Sequence, residues 1–186
     1  LARAERLSHS MARMLAEQTF RSIDSVALTM HAVADQILQT SDRRIGQTLV
    51  REILQSRTRT ATELRDLAYV PADGIGTVDV TGNAVPPIDL GTLPYVQEAI
   101  RKPGTVVLGR PVAGRHLGET TVEAMRSGQF YLPMARSITT REGQLLGVVI
   151  ALLNPDFFAT SFDAVDAGQQ GAIRLIHYEG QLTAST

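Results

Sequence analysis

The sequence predicts an α+β domain in which a long N-terminal helix packs on a five-stranded antiparallel sheet. Residues 1–39 contain neither Gly nor Pro and carry a helical apolar stripe. From about residue 64, short β-branched segments alternate with turns that contain Gly or Pro. The apolar run at residues 145–153 has the length of a central strand buried on both faces. Helices followed by a run of strands are the pattern of an α+β domain.

The first helix is predicted from its apolar residues, which recur in steps of four and three. They are Ala16, Phe20, Ile23, Ala27, Met30, Ala34 and Ile37. At about 1.5 Å per residue a helix of this length spans roughly 55 Å, which exceeds a compact domain of this size. Part of it is therefore expected to protrude or to pair with another helix, and one interpretation is a homodimer seam along its N-terminal part. The other is that the whole helix packs on its own domain.

A second amphipathic helix is predicted up to about Thr60. Residues 40–42 (Thr-Ser-Asp) interrupt the first helix and supply capping side chains for the second. The apolar residues of this helix are Ile45, Leu49, Ile53 and Leu54.

The remaining elements are strands with two short helices between them. Predicted strands lie at residues 67–70, 76–80, 105–109, 130–139 and 145–153, with helices at 93–101 and 155–165 and a final hairpin at 172–185. In the segment 130–139 successive side chains alternate between two faces. Tyr131 falls on one face and Arg136 on the other.

Composition excludes several classes of function. A formal net charge of −1 leaves no basic surface for nucleic acid. The chain has no Cys, which rules out a disulfide framework and a Cys-based metal site. No stretch approaches the ~20 apolar residues of a membrane span. The chain begins in a helical pattern without Met, and we interpret it as a fragment of a larger protein.

Enzyme chemistry finds little support among the residues. None of the four His is spaced as a helical metal-binding pair. No nucleophile elbow, phosphate-binding loop or dinucleotide fingerprint is present. The sequence therefore predicts no catalytic residue, no metal site and no cofactor.

Four sequence segments, in their order along the chain, resemble those of a known family. They are RSIDSVAL at 21–28, TLPYVQEA at 92–99, VLGRPV at 107–112, and the segment from LPMARSI at 132–138 to NPDFF at 154–158. Their order and spacing resemble the Cache sensor domains, which are the extracytoplasmic PAS-like (PDC) domains of bacterial histidine kinases, diguanylate cyclases and chemoreceptors. The resemblance extends over nearly the whole chain. It is strongest to the first lobe of two-lobed versions from diguanylate cyclases and histidine kinases.

The resemblance implies a PAS-like fold, a domain division and a function. Residues 1–60 would form N-terminal signalling helices, residues 61–165 the sensor domain, and residues 166–186 a hairpin that opens a second lobe. The domain would lie in the periplasm as part of a membrane-anchored receptor. A bound small molecule would shift the N-terminal helix and so signal to a cytoplasmic kinase or cyclase.

The same resemblance points to four ligand-binding residues, Tyr95, Arg110, Tyr131 and Arg136. Arg suits a carboxylate ligand because its guanidinium donates two parallel hydrogen bonds, and Tyr adds an apolar wall with a polar tip. Alternatively, the two Arg pair with local acids and Tyr95 packs in the core. The polar loop at residues 113–128 is expected to be either a lid over the pocket or an exposed loop.

Two positions depart from the family's pattern. Leu93 stands where members often have Arg, and Leu152 falls near the position where amino-acid-binding members carry an Asp. Residue 152 therefore does not provide that contact to a ligand's α-amino group. The alternative is a function that needs no ligand. In that case the chain is a dimerisation or partner-protein module, and the long helix is its interface.

Overall fold

The computed structural model of the chain describes residues 2–40, 46–59, 61–81, 85–119, 122, 129–163, 165, 172–176, 180 and 182–185. Its helices include α1 (Ala2–Thr40), α2 (Gln47–Thr58), α3 (Pro94–Arg101) and α4 (Pro155–Asp163), with a 3-10 turn at Leu90–Thr92. Its strands include β1 (Leu64–Pro71), β2 (Val78–Asp79), β3 (Val107–Leu108), β4 (Val112–Ala113), β5 (Phe130–Thr139), β6 (Leu145–Leu153), β7 (Arg174–Ile176) and β8 (Leu182–Ser185). The predicted α+β class is confirmed.

The buried face of α1 matches the predicted stripe over only part of the helix. Its buried residues are Leu15, Thr19, Val26, Met30, Val33, Ala34 and Ile37. The prediction is right from Met30 onward, and Ile23 and Ala27 are half-buried against the same core. By contrast, Ala16 is exposed and Phe20 is 67% exposed. A straight α-helix rotates by about 20° per heptad relative to a strict 3.5-residue repeat. A stripe drawn at the heptad period therefore drifts off the buried face.

The second helix is shorter than predicted. It begins at Gln47, after an extended Gly46 that makes no side-chain cap. Residues 41–45, which hold most of the predicted cap, and Thr60 lie outside the described residues. Val50 is buried with the predicted Ile53 and Leu54. Leu49 is 40% exposed, because it lies one residue away from that buried side.

The main sheet is antiparallel with the strand order β2-β1-β6-β5-β3, and β4 also pairs with β5. These five strands in order confirm the predicted five-stranded sheet. The structure adds β4, which continues the β3 edge of the sheet after an interruption at residues 109–111. Gly109 still donates its N–H to the carbonyl of Pro133 at 2.8 Å, but Pro111 has no N–H to give to the ladder. The all-apolar β6 lies in the centre, paired with β1 and β5.

Two apolar layers cover the two faces of the sheet. The α1 face packs against α1, α2 and α4, and includes Leu67, Val78, Leu132, Met134, Ile138 and Val149. The α3 face packs against α3 and the chain before it, and includes Ala68, Tyr131, Ala135, Val148 and Ile150. The predicted alternation within residues 130–139 is therefore confirmed. The strands β7 and β8 pair in a separate two-stranded sheet, as the predicted hairpin requires.

Candidate ligand-binding site

The helix α3 is held closely on the sheet. Pro94 occupies the start of the helix, where its missing N–H costs nothing. The buried Ser137 hydroxyl of β5 donates to the carbonyl of Ala99 at 2.8 Å. A Cβ at Gly109 would lie 2.8 Å from the Cβ of Tyr95, so only a residue without a side chain allows this approach. These contacts fix the position of Tyr95 over the edge of the sheet.

Tyr95 and Tyr131 meet on the α3 face. They are 6% and 5% exposed. Burial and the neighbouring Tyr131 hydroxyl raise the pKa of Tyr95, and burial is also the main cause that raises the pKa of Tyr131. The buried hydroxyl of Tyr95 has no partner at hydrogen-bond geometry among the described residues. The pair therefore offers an aromatic wall with an unsatisfied polar tip.

Two buried carboxylates lie on the same face, at its β1–β2 side. Asp66 is 2% exposed and Asp79 is 3% exposed. Asp79 pairs directly with Ala68 across the two strands, and Asp66 is two residues from Ala68, so all three side chains point to the α3 face. The small side chain of Ala68 lies beside both carboxylates on this face.

The two carboxylates differ in how they are satisfied. The Oδ1 atom of Asp66 accepts the N–H of Leu67 at 2.7 Å, while its Oδ2 atom is buried without a partner. The Thr81 hydroxyl donates to Oδ2 of Asp79 at 2.7 Å. Burial, followed by the charge of Asp79, raises the pKa of Asp66 from its ordinary value to about 7. Asp66 is therefore poised to change its charge near neutral pH.

A third unsatisfied group completes the polar lining. Thr77 is 8% exposed and directly precedes β2, two residues before Asp79. Its hydroxyl is buried and has no partner among the described residues. Buried polar atoms without a partner are rare in folded proteins, and each costs about 1–3 kcal/mol. Such atoms belong to Asp66 and Tyr95 on the α3 face and to Thr77 directly before β2.

The predicted arginines are not brought together with the tyrosines in one cluster. Arg110 lies at the break between β3 and β4, directly after Gly109, and is exposed. Arg136 lies on the α1 face, with its side chain 13% exposed and a nitrogen 3.9 Å from a carboxylate oxygen of Asp35 on α1. The sheet therefore separates Arg136 from Tyr95 and Tyr131. The two-residue period of β5 is the physical reason.

The predicted lid at residues 113–128 is described only in part. Glu119 accepts backbone N–H groups from Arg115 at 2.6 Å and His116 at 3.3 Å, and these bonds are the main cause that lowers its pKa. Leu117 is buried in the layer on the α3 face. The start of the loop therefore covers this face, while residues 120, 121 and 123–128 lie outside the described residues.

The sequence prediction missed Asp66, Asp79 and Thr77. It began the first strand at residue 67, whereas β1 begins at Leu64. If the alternation of side chains in this strand is extended two residues towards the N-terminus, Asp66 falls on the same face as Ala68 and Val70. That alternation is the sequence signal by which Asp66 could have been predicted. The neighbouring Arg65 has a structural role, since it donates to the carbonyl of Phe130 and to Asn154, both at 2.6 Å.

Two further features are absent from the described residues. No helix there combines the length and the hydropathy that crossing a membrane requires. No group of three His, Cys, Asp or Glu side chains there is arranged to hold a metal ion.

Comparisons with known proteins connect this fold to solved structures alone. No family model and no curated protein matches the sequence. The extracellular domain of rpHK1S-Z16, assigned as a histidine kinase, matches with a TM-score of 0.79 at 23% identity, over 98% of this chain and 70% of that one. The ligand-binding domain of the Pseudomonas fluorescens chemoreceptor CtaA, solved with L-isoleucine, matches with a TM-score of 0.72 at 18% identity, over 98% and 68% of the two chains.

A third neighbour has the same architecture. The ligand-binding domain of the Pseudomonas aeruginosa PAO1 chemoreceptor PctC, solved with GABA, matches with a TM-score of 0.73 at 15% identity. The match covers 97% of this chain and 75% of that one. The Cache-type resemblance stated from the sequence is thus confirmed as a fold, and the chain has the fold of the extracellular ligand-binding domains of chemoreceptors and histidine kinases.

Proposed function

We propose that the chain is the extracytoplasmic small-molecule-sensing domain of a bacterial transmembrane signalling protein, and that its ligand binds on the α3 face of the sheet. The observation that carries this proposal is the set of buried atoms without partners there, which belong to Asp66, Thr77 and Tyr95. A polar ligand would satisfy them. The neighbours CtaA and PctC were solved with the amino acids L-isoleucine and GABA, which supports a small polar ligand for this fold.

The proposed site keeps three of the four residues expected from the sequence. Tyr95 and Tyr131 would form its wall. Arg110 follows Gly109, which touches Tyr95, and its guanidinium is the candidate contact for a ligand carboxylate. Arg136 is left out because it lies on the α1 face beside Asp35.

The signal would pass through the sheet to α1. The strand β5 carries Tyr131 on the α3 face and Met134 on the α1 face, where Met134 shares a buried layer with Met30 and Ile37 of α1. A ligand that binds one arrangement of this strand more tightly than another would shift the population of α1 positions. In the proposed receptor α1 leads towards the membrane, and the output is a cytoplasmic histidine kinase or diguanylate cyclase. The division at residues 60 and 165, with a second lobe from residue 166, belongs to the same proposal.

A second candidate function is ligand-free dimerisation through α1. Leu7, Met14 and Leu28 are spaced by multiples of seven residues and are 58%, 63% and 63% exposed. This spacing is typical of a coiled-coil seam, and at about 1.5 Å per residue a helix of this length extends roughly 58 Å. A homodimer is also compatible with sensing, so the two candidates differ only in whether a ligand binds.

The test is a thermal-shift screen of the purified domain with organic acids, amino acids, amines and nucleobases. Sensing predicts that one chemical class raises the melting temperature, by roughly 5–10 °C at a hundredfold excess over Kd. Tyr95→Phe should reduce affinity for that class roughly tenfold, because it removes a buried hydroxyl that the ligand would satisfy.

Two variants serve as controls on the α1 face. Tyr69→Phe is the matched change, since the Tyr69 hydroxyl donates to the carbonyl of Leu146 at 2.9 Å and its loss should cost about 1 kcal/mol of stability. Arg136→Met tests the excluded arginine. Both should bind the ligand as the wild type does. A cooperative melt that no compound shifts would reject sensing by this domain and favour the dimerisation module.

A further inference from the structure

The surroundings of the Asp66–Asp79 pair point to the charge of the group that would occupy it. Two carboxylates buried on neighbouring strands repel each other and lose hydration, so they require either a proton or a cation. Among the described residues, no Arg or Lys forms an ion pair with Asp66, whose Oδ2 atom has no partner. A proton on Asp66 meets this need in the free protein, and a bound cation would meet it in place of that proton.

The donor geometry favours an ammonium group over a metal ion. An alkylammonium carries three N–H donors and no acceptor. The face offers oxygen acceptors in matching number: Oδ2 of Asp66, the carboxylate of Asp79 and the unpartnered hydroxyl of Thr77. A metal ion would need further ligands, and within the described residues no third His, Cys, Asp or Glu joins the pair.

We propose that Asp66 and Asp79 form the subsite for a protonated amine of the ligand, with Thr77 as a third acceptor. This inference rests on the proposed sensing function and names its ligand class as amines. The carboxylate pair lies over β1 and β2, while the tyrosine pair lies over β5 and the β3 edge. At about 4.8 Å between strands, these two ends are roughly 10 Å apart or more. The ammonium would therefore bind at one end of an extended ligand whose other end meets Tyr95 and Tyr131.

Binding of a cation there is linked to a proton. Among the described residues, Asp79 from β2 is the charged group that acts on the pKa of Asp66. An ammonium stabilises the ionised form of Asp66, so the protein must release a proton when it binds the ligand below pH 7. Affinity for the amine should therefore rise from pH 5 to pH 8.

The experiment compares amines with compounds of the same carbon-chain length that carry no ammonium. The probes are GABA and 1,5-diaminopentane, with butanoate and 1-pentanol as matched compounds without it, and calcium chloride as the metal. Melting temperatures and titration calorimetry are recorded at pH 5, 7 and 8, in buffers of different ionisation enthalpy. We expect shifts from the amines alone, proton release on binding at pH 5 to 7, and at least a roughly tenfold loss of affinity in Asp66→Asn. Asp163→Asn, an exposed Asp of α4, should bind as the wild type does.

The outcomes separate this inference from the sensing proposal. Binding of butanoate or another compound without an amine, unchanged in Asp66→Asn, would overturn the amine subsite and leave sensing intact. A calcium response that Asp66→Asn abolishes would overturn it in favour of a metal site. An amine response that survives in both Asp66→Asn and Asp79→Asn would also overturn it. If no compound in the wider screen raises the melting temperature, both the sensing proposal and the amine subsite are rejected.

Discussion

The free energy of unfolding should fall by about 2–3 kcal/mol between pH 5 and pH 8, and Asp66→Asn should remove most of this fall. The cause is the pKa of Asp66, which burial and the charge of Asp79 raise from 3.8 to about 7. Between these two values the folded protein holds a proton that the unfolded chain has released. The stability from this proton is complete below pH 3.8 and is lost as the pH rises through 7.

The measurement is urea unfolding followed by circular dichroism at half-unit steps of pH. Asp66→Asn keeps the shape of the side chain without its charge, so it should be more stable than the wild type at pH 8 and nearly independent of pH from 5 to 8. The exposed Asp163→Asn should retain the wild-type dependence. Glu119 and Glu142, whose pKa values are lowered, act in the opposite direction only at more acidic pH. A wild-type stability that is flat or rises between pH 5 and pH 8 contradicts a buried, proton-holding Asp66.

Gly147→Ala should destabilise the domain by about 3 kcal/mol or more. Gly147 lies in the central strand β6, where the ring of Tyr69 crosses it. A Cβ there would lie 2.5 Å from the carbonyl oxygen of Val70 and 2.6 Å from Cε2 of Tyr69. The carbonyl belongs to the paired strand β1, which cannot move without breaking the ladder. The midpoint of guanidinium unfolding at pH 7 measures the effect.

Gly46→Ala is the matched control for that change. Nothing lies within 4 Å of a Cβ at Gly46, and its backbone has φ −70° and ψ 149°, which any residue adopts. Its cost should stay below about 1 kcal/mol, from the helix-capping preference alone. Replacing Tyr69 by Leu in the Gly147→Ala background should recover only part of the loss, because the clash with the Val70 carbonyl remains. Equal midpoints for Gly147→Ala and the wild type would show that β1 and β6 are not packed as described.

The sequence predicted most of the architecture because local patterns determine it. The apolar run of β6 and the alternation in β5 are strong signals, and both strands form at the predicted residues. The same alternation already separated Tyr131 from Arg136. The family resemblance grouped them, and the structure places them on opposite faces. A periodic pattern of side chains is thus a better guide to a site than matched positions alone.

The carboxylate pair was beyond the sequence because it depends on the register between two strands. Asp66 and Asp79 are 13 positions apart in the sequence and meet only because Ala68 pairs with Asp79. That register is set by the turn between them, in which Gly74 adopts a φ of 71° and Gly76 a φ of 75°. Composition can indicate a turn there, but it does not say how many residues the turn absorbs.

We propose above all that a small molecule binds on the α3 face of the sheet. Hydrogen–deuterium exchange, with and without the first compound that raises the melting temperature, locates the bound ligand most directly. We predict slower exchange in α3 and at the amides of residues 66–68 and 77–81, with smaller changes along α1. Slowing confined to residues 5–28 of α1, or to the β7–β8 hairpin, would contradict the claim and place the ligand elsewhere.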